Sequence, residues 1–123
     1  MIKNLLLAGI GGGLGSMLRY LCYRWLTTMH PQHFPWGTFA VNISGCFLIG
    51  LLWGLSFRSF DSNESWKLFL MTGLCGGFTT FSAFTLEGIG LLRENRAGLF
   101  FLYVAGSLVT GLAVTWLGMR ISR

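Results

Sequence analysis

The chain alternates between long apolar stretches and short polar segments. Four stretches, 5–26, 36–57, 66–92 and 97–119, are apolar over most of their length. A helix of about 20 apolar residues crosses the hydrocarbon of a bilayer. The connecting segments are short, so we expect consecutive helices to be antiparallel neighbours. The pattern predicts an all-α membrane protein of one domain, 1–123, with four transmembrane helices and the lipid bilayer as a partner.

The third stretch has an unusual centre, with the sequence GLCGGFTTFSAF over 73–84. Three glycines this close together weaken a helix, because none has a side chain that restricts the backbone. Backbone groups that leave a helix inside a membrane need other partners, so irregular backbone is found where protein buries it or where a polar path runs. The pattern predicts that the third helix is broken near its middle, at an ion or substrate site.

The composition fits a bilayer better than water. Charged residues make up 11% of the 123 residues, against about 25% in soluble domains. The net charge is +5, but the basic residues are scattered at the ends of apolar stretches, so we expect no nucleic-acid partner. Cys22, Cys46 and Cys75 lie within apolar stretches and are interpreted as packing residues. His30 and His33 are interpreted as residues of an interfacial loop, not of a metal site.

Arg19 and Glu87 are charged residues within the apolar stretches. Arg19 lies about 21 Å along the first helix from Leu5. Its side chain either reaches the headgroups or faces a water-filled vestibule, and the sequence leaves both open. Glu87 is the one acidic residue inside a stretch, which makes it a functional candidate. No acid–base pair, nucleophile triad or phosphate-binding loop occurs in a credible context, so we expect no enzymatic activity.

Small residues four apart predict close helix contacts within or between subunits. They occur in five pairs: Gly9–Gly13, Gly11–Gly15, Gly50–Gly54, Gly73–Gly77 and Ser107–Gly111. Positive charges are almost balanced between the two sides of the predicted bundle. One side carries Lys3, Arg58, Lys67, Arg120 and Arg123, and the other carries Arg19, Arg24, Arg93 and Arg96. An excess of positive charge fixes the orientation of a membrane protein, so this balance predicts insertion in both directions and an antiparallel, dual-topology homodimer.

The broken segment offers groups for ions of either sign. Opened carbonyls of Gly76 and Thr79 could face a cation, and four would converge if two inverted copies met there. Phe81 and Phe84 share a helix face, and their positive ring edges could contact an anion, although packing is the commoner role. The Asn42 amide could donate to an anion or make an interhelical hydrogen bond.

At these residues the sequence resembles a known family. Three blocks, 11–20, 37–46 and 73–84, closely resemble the Fluc (CrcB) family of bacterial fluoride channels, in order and over the whole chain. The resemblance implies a fluoride-selective passive channel that exports fluoride across the bacterial inner membrane. It also implies an antiparallel homodimer with two separate pores.

The resemblance assigns roles to particular residues. The pore-lining residues would be Phe81, Phe84, Asn42, Thr38, Tyr103 and Ser107. The vestibule residues would be Arg19 and Glu87. A structural sodium ion at the dimer centre would be held by the backbone carbonyls of Gly76 and Thr79 from both subunits. Ala83 departs from the family pattern, because many members have threonine or serine there.

An alternative is a small dual-topology multidrug exporter, which also has four short spans. Such exporters depend on a glutamate in the first span, whereas this chain has Arg19 there and no acid. A second alternative is an accessory membrane subunit without transport of its own. Both alternatives predict that the purified protein carries no fluoride-specific flux.

Overall fold

The computed structural model describes residues 1–29, 34–58 and 64–123. The predicted interfacial histidines, His30 and His33, lie outside these residues, as does the loop residue Asp61. The described chain is helical, and its helices are α1 (Ile2–Met29), α2 (Trp36–Ser56), α3 (65–78), α4 (Phe81–Arg93) and α5 (Ala97–Ser122). α3 and α4 together form the third span, so four membrane-length segments lie in the described part of the chain.

Most helix ends lie one to three residues from the predicted span boundaries. α1 begins at Ile2 rather than residue 5 and ends at Met29 rather than residue 26. α5 continues to Ser122, three residues past the predicted end. Hydropathy marks the hydrocarbon segment, whereas a helix keeps its hydrogen bonds beyond the point where its side chains become polar.

The third span is broken, as the sequence predicts, but the break lies after the glycines. α3 consists of a turn at Ser65–Lys67, a π-helical stretch at Leu68–Cys75 and a turn at Gly76–Phe78. Thr79 and Thr80 are extended, with φ/ψ of −84°/158° and −150°/119°. Gly76 stays helical at −62°/−39°. The expectation that the glycines themselves open the helix is therefore wrong.

The glycines of α3 instead allow it to pack closely against α1. A Cβ atom on Gly73 would lie 2.9 Å from the Gly11 Cα, and one on Gly77 would lie 2.9 Å from the Gly12 Cα. Side chains at these positions would push the two backbones apart. In a membrane, where hydrocarbon gives no hydrophobic drive between helices, such close approach lets van der Waals packing hold them together.

A second close pair is formed by α2 and α5. A Cβ on Gly50 would meet the carbonyl oxygen of Thr115, and one on Gly118 would lie 2.8 Å from the Leu51 nitrogen. The Thr115 hydroxyl donates to the Cys46 carbonyl at 3.1 Å. Residue numbers rise together along both helices, so α2 and α5 run in the same direction.

The closest packing therefore joins alternate spans, α1 with α3 and α2 with α5, rather than consecutive ones. Consecutive helices also touch, α1 with α2 and α4 with α5, but less extensively. Consecutive helices are therefore neighbours, as expected, but they are not the most closely packed pairs. A loop limits only the distance between two helix ends, whereas small residues decide which backbones pack along their whole length.

Candidate functional site

The break between α3 and α4 is tied to α2 by a single amide. The Thr80 N–H donates to Asn42 Oδ1 with an N–O distance of 2.8 Å, and Asn42 Nδ2 donates to the Thr80 carbonyl at 3.0 Å. The amide thus satisfies both backbone polar groups of a residue that has left the helical pattern. Of the two roles that the sequence left open for Asn42, the interhelical hydrogen bond is present.

Thr80 also caps the helix that follows. The Ala83 N–H donates to Thr80 Oγ1 at 3.2 Å, which satisfies one of the free donors at the start of α4. On the other side of the break, the Thr79 N–H and hydroxyl both donate to the Cys75 carbonyl at 3.0 Å. The two threonines thus end one helix and begin the next.

These contacts release two carbonyl groups. In a continuous helix, the Gly76 carbonyl would accept from the Thr80 N–H and the Thr79 carbonyl from the Ala83 N–H. Both donors are directed elsewhere, to Asn42 Oδ1 and to Thr80 Oγ1. Gly76 is exposed, and with Thr79 and Thr80 it lines a cavity of about 340 Å³.

The freed carbonyls suit a hard cation, which prefers oxygen ligands. No cluster of three histidine, cysteine, aspartate or glutamate side chains that could hold a metal occurs among residues 1–29, 34–58 and 64–123. The break itself provides backbone oxygens whose helical donors are engaged elsewhere. Two carbonyls from one chain form half of the four-carbonyl arrangement predicted for a pair of inverted copies.

A row of aromatic rings leads from the surface into the bundle. The centroids of Phe81 and Phe84 are 5.8 Å apart, and those of Phe84 and Tyr103 are 5.0 Å apart. Phe81 is 75% exposed, whereas Tyr103 is completely buried. Phe81 and Phe84 lie within the first turn of α4, directly after the break, so the row begins beside the freed carbonyls.

Ser107 lies one turn after Tyr103 on α5. Its hydroxyl oxygen is buried and has no hydrogen-bond partner within the described part of the chain. Ser107 lines the same cavity as Asn42, Phe81 and Phe84. A buried hydroxyl without a partner is costly, so this group is available for a ligand.

Thr38, Tyr103 and Ser107 are the hydroxyl-bearing residues predicted to line the pore as a polar track, and two of them, Thr38 and Tyr103, bind Glu87. The Thr38 hydroxyl donates to Oε1 at 2.7 Å, and the Tyr103 hydroxyl donates to Oε2 at 3.2 Å. Thr38 is only 2% exposed. The track therefore has two parts: Thr38 and Tyr103 are engaged by Glu87, and Ser107 is unengaged. A carboxyl group inside a membrane needs hydrogen-bond donors. The position of Glu87 in the sequence could therefore have indicated that hydroxyl groups surround it.

Arg19 reaches from α1 to the break. Its Nε donates to the Gly77 carbonyl at 3.1 Å, and the side chain is partly buried. It lines a cavity of about 360 Å³ together with Thr38, Thr80 and Glu87. The guanidinium group thus lies beside a cavity between the helices, and its role in a vestibule stays a prediction.

Comparison with known proteins places the chain in a family. The family model described as "CrcB-like protein, Camphor Resistance (CrcB)" matches residues 6–119. A relative from Flavobacterium psychrophilum named "Fluoride-specific ion channel FluC" is 44% identical, with 99% of this chain and 98% of the relative covered. Relatives of the same name from Phocaeicola vulgatus and Agrobacterium fabrum are 47% and 43% identical, each with 98% of this chain and at least 96% of the relative covered.

These relatives are ion channels by name, which confirms the expectation that the chain is not an enzyme. The matched region includes both halves of the broken span and every residue predicted for the site. The chain is a member of the CrcB (Fluc) family.

Proposed function

We propose that this protein is a fluoride-selective passive channel. The names of its full-length relatives support this assignment. The observation that carries it is the row of Phe81, Phe84 and Tyr103 beside the partnerless Ser107 hydroxyl. Ring edges and one free hydroxyl offer an anion several weak contacts instead of one strong one.

Weak contacts suit conduction. An ion must bind strongly enough to enter a pore and weakly enough to leave it. The edges of the Phe81 and Phe84 rings carry partial positive charge, and the Ser107 hydroxyl can donate a hydrogen bond. In this proposal the larger chloride ion is excluded by a narrow, rigid path bounded by the rings, whereas the smaller fluoride ion passes.

Charged residues at the cavity beside the break adjust the local potential. The guanidinium group of Arg19 attracts anions toward the cavity that it shares with Thr38 and Glu87. The carboxyl oxygens of Glu87 each accept a hydroxyl hydrogen bond, which offsets their repulsion of a passing anion. These two residues form the vestibule of the proposed pore.

Export follows from the membrane potential. An inside-negative potential drives an anion outward by about 2.3 kcal/mol per 100 mV. A passive pore in the bacterial inner membrane therefore lowers cytoplasmic fluoride without another energy source. Rejection of chloride is required, because a chloride leak would depolarise the membrane.

The working unit in this proposal is an antiparallel, dual-topology homodimer with two pores. The cavity at the break is open along the side of the chain, and Phe81 beside it is 75% exposed. A second, inverted copy would cover this face and bring the two breaks together. The near-equal division of positive charge, five on one side against four on the other, supports insertion in both directions.

At the dimer centre, the Gly76 and Thr79 carbonyls of both copies would hold a sodium ion. Their helical donors are engaged by Asn42 and Thr80, so the carbonyl oxygens are free to act as ligands. When bound, the ion supplies positive charge that links the two breaks. Replacing sodium by a larger cation is expected to impair the protein, and indifference to the replacement would count against this site.

Flux measurements test the channel. Purified protein in liposomes loaded with fluoride or with chloride is examined with ion-selective electrodes, with valinomycin and potassium to carry the counter-charge. We expect rapid fluoride efflux and almost no chloride efflux. Equal efflux of both anions, or no efflux of either from folded protein, would show that the chain is not a fluoride-selective channel.

Cysteine labelling tests the dual topology. In a background without Cys22, Cys46 and Cys75, a cysteine introduced next to Arg123, with all nine positive charges kept, is treated with a membrane-impermeant thiol reagent from each face. We expect about half of the protein to react from each side, as an inverted pair requires. Labelling from one face only would eliminate the antiparallel dimer and leave the channel assignment standing.

A further inference from the structure

The backbone at the break has two competing arrangements. In the first, the Thr80 N–H returns to the Gly76 carbonyl and the Ala83 N–H to the Thr79 carbonyl, as in a continuous helix. In the second, which the structure adopts, Asn42 Oδ1 and Thr80 Oγ1 accept these two hydrogens. The Gly76 and Thr79 carbonyls therefore lack these helical donors only as long as two side chains engage the competing N–H groups.

We propose that Asn42 is a positioning residue for the cation site, acting through the backbone of Thr80, in addition to any contact that its remaining N–H makes with an anion. It accepts the one N–H that would reach the Gly76 carbonyl and donates to the Thr80 carbonyl, so it holds Thr80 extended. Thr80 Oγ1 performs the matching task for the Thr79 carbonyl. This role rests on the sodium site proposed above and deepens it.

The packing of α2 makes this reach possible. One turn after Asn42, a Cβ atom on Gly45 would collide with the Thr79 methyl group. α2 therefore approaches the break more closely than any larger residue at position 45 would permit. Because α2 lies this close to the break, the short Asn42 side chain reaches the backbone of Thr80, and both hydrogen bonds have donor–acceptor distances of 3.0 Å or less.

The hydrogen bonds already made by Asn42 limit what it can offer an anion. Its oxygen accepts from Thr80, and one hydrogen of its Nδ2 is donated to the Thr80 carbonyl. Only the second N–H hydrogen is left for another acceptor. Ser107, by contrast, has a buried hydroxyl without a partner in the described part of the chain. Substitution of Asn42 should consequently act first on the affinity for the cation.

Two variants and two controls separate these roles. Asn42→Leu removes both hydrogen bonds at similar volume, and Thr80→Val removes the acceptor for the Ala83 N–H while keeping the branched shape. Thr80→Ser keeps that acceptor. Ser44→Ala is a control on α2, because the Ser44 hydroxyl is exposed and donates to the Ala40 carbonyl of its own helix.

The measurement is the thermal unfolding midpoint of the purified protein as sodium replaces N-methylglucamine at constant ionic strength. Each variant removes the acceptor that keeps one competing N–H away from its carbonyl. This loss should raise the sodium concentration for half of the stabilisation roughly fivefold to tenfold in both Asn42→Leu and Thr80→Val. Thr80→Ser and Ser44→Ala should keep the sodium dependence of the original protein. In liposomes, high sodium should restore part of the fluoride efflux of Asn42→Leu.

An unchanged sodium dependence in Asn42→Leu together with lost fluoride efflux would overturn the positioning role and make Asn42 an anion ligand. If Asn42→Leu does not fold, Thr80→Val is compared with Thr80→Ser instead. An equal sodium dependence in these two variants would overturn the inference that side chains at the break keep the carbonyls free for the cation. An original protein that carries fluoride but is insensitive to sodium would overturn this inference alone. An original protein that binds sodium but carries no fluoride would overturn the channel and leave the inference standing.

Discussion

Glu87 on α4 and Tyr103 on α5 are joined by a hydrogen bond, with 3.2 Å between the Tyr103 hydroxyl oxygen and Glu87 Oε2. The second carboxyl oxygen accepts from Thr38 on α2 at 2.7 Å. One intramembrane carboxyl group therefore connects three helices. Because the same Tyr103 ring packs on Phe84 with centroids 5.0 Å apart, the cluster also fixes the inner end of the aromatic row.

Tyr103→Phe tests this cluster. The substitution keeps the ring contacts with Phe34 and Phe84 but leaves Glu87 Oε2 without its donor. We expect the free energy of unfolding, measured by denaturant titration in detergent, to fall by about 1–3 kcal/mol. Tyr20→Phe is the matched control, since Tyr20 is 60% exposed. In a Glu87→Gln background the loss should be smaller, because the two residues act as a unit, and equal losses in both backgrounds would contradict the coupling.

Ser107→Ala should affect stability and conduction in opposite ways. The Ser107 hydroxyl is buried without a partner among the described residues, so removing it should leave the free energy of unfolding unchanged or higher. If the hydroxyl donates to fluoride, efflux from liposomes should fall by about tenfold, as expected for one hydrogen bond to an anion. A variant that is less stable but conducts normally would show that this serine is a structural residue only.

Phe81→Ile and Phe84→Ile should each abolish fluoride efflux. Isoleucine keeps apolar bulk but has no ring edge with partial positive charge. Phe101→Ile is the matched control, because Phe101 is 66% exposed on α5 and is not part of the aromatic row. Liposome efflux with a fluoride electrode measures the effect. Normal flux in both variants would mean that the aromatic row does not line the pore.

Glycines on two faces of α1 should respond differently to alanine. A Cβ on Gly15 would meet the Leu74 carbonyl and lie 2.8 Å from the Phe78 nitrogen, whereas one on Gly13 would have open space around it. Gly15→Ala should lower the free energy of unfolding by about 1–3 kcal/mol through overpacking. Gly13→Ala should raise it by up to about 1 kcal/mol, through helix propensity. Similar effects of both substitutions would argue against close α1–α3 packing.

Much of the candidate site could be predicted because its residues are unusual for a membrane interior. Asn42, Glu87 and Arg19 are costly in hydrocarbon, so their presence alone indicates partners or function. The hydrogen-bond partners themselves could not be predicted. Thr80 meets Asn42 across 38 residues, and Thr38 meets Glu87 across 49. Spacing along one helix carries no information about contacts between helices that are this far apart in sequence.

The sequence by itself determined the four membrane spans, because hydropathy is a local property that decides which segments enter the bilayer. It also indicated a break in the third span, because a run of glycines and hydroxyl residues is unusual in the middle of a membrane helix. Only the tertiary structure decided where that break lies. The glycines at 73, 76 and 77 remain helical, and Thr79 and Thr80 open. Gly73 and Gly77 let α3 pack closely against α1, while Asn42 on α2 supplies the hydrogen bonds that the open backbone of Thr80 needs. A helix in a membrane opens where a neighbour can satisfy its polar groups.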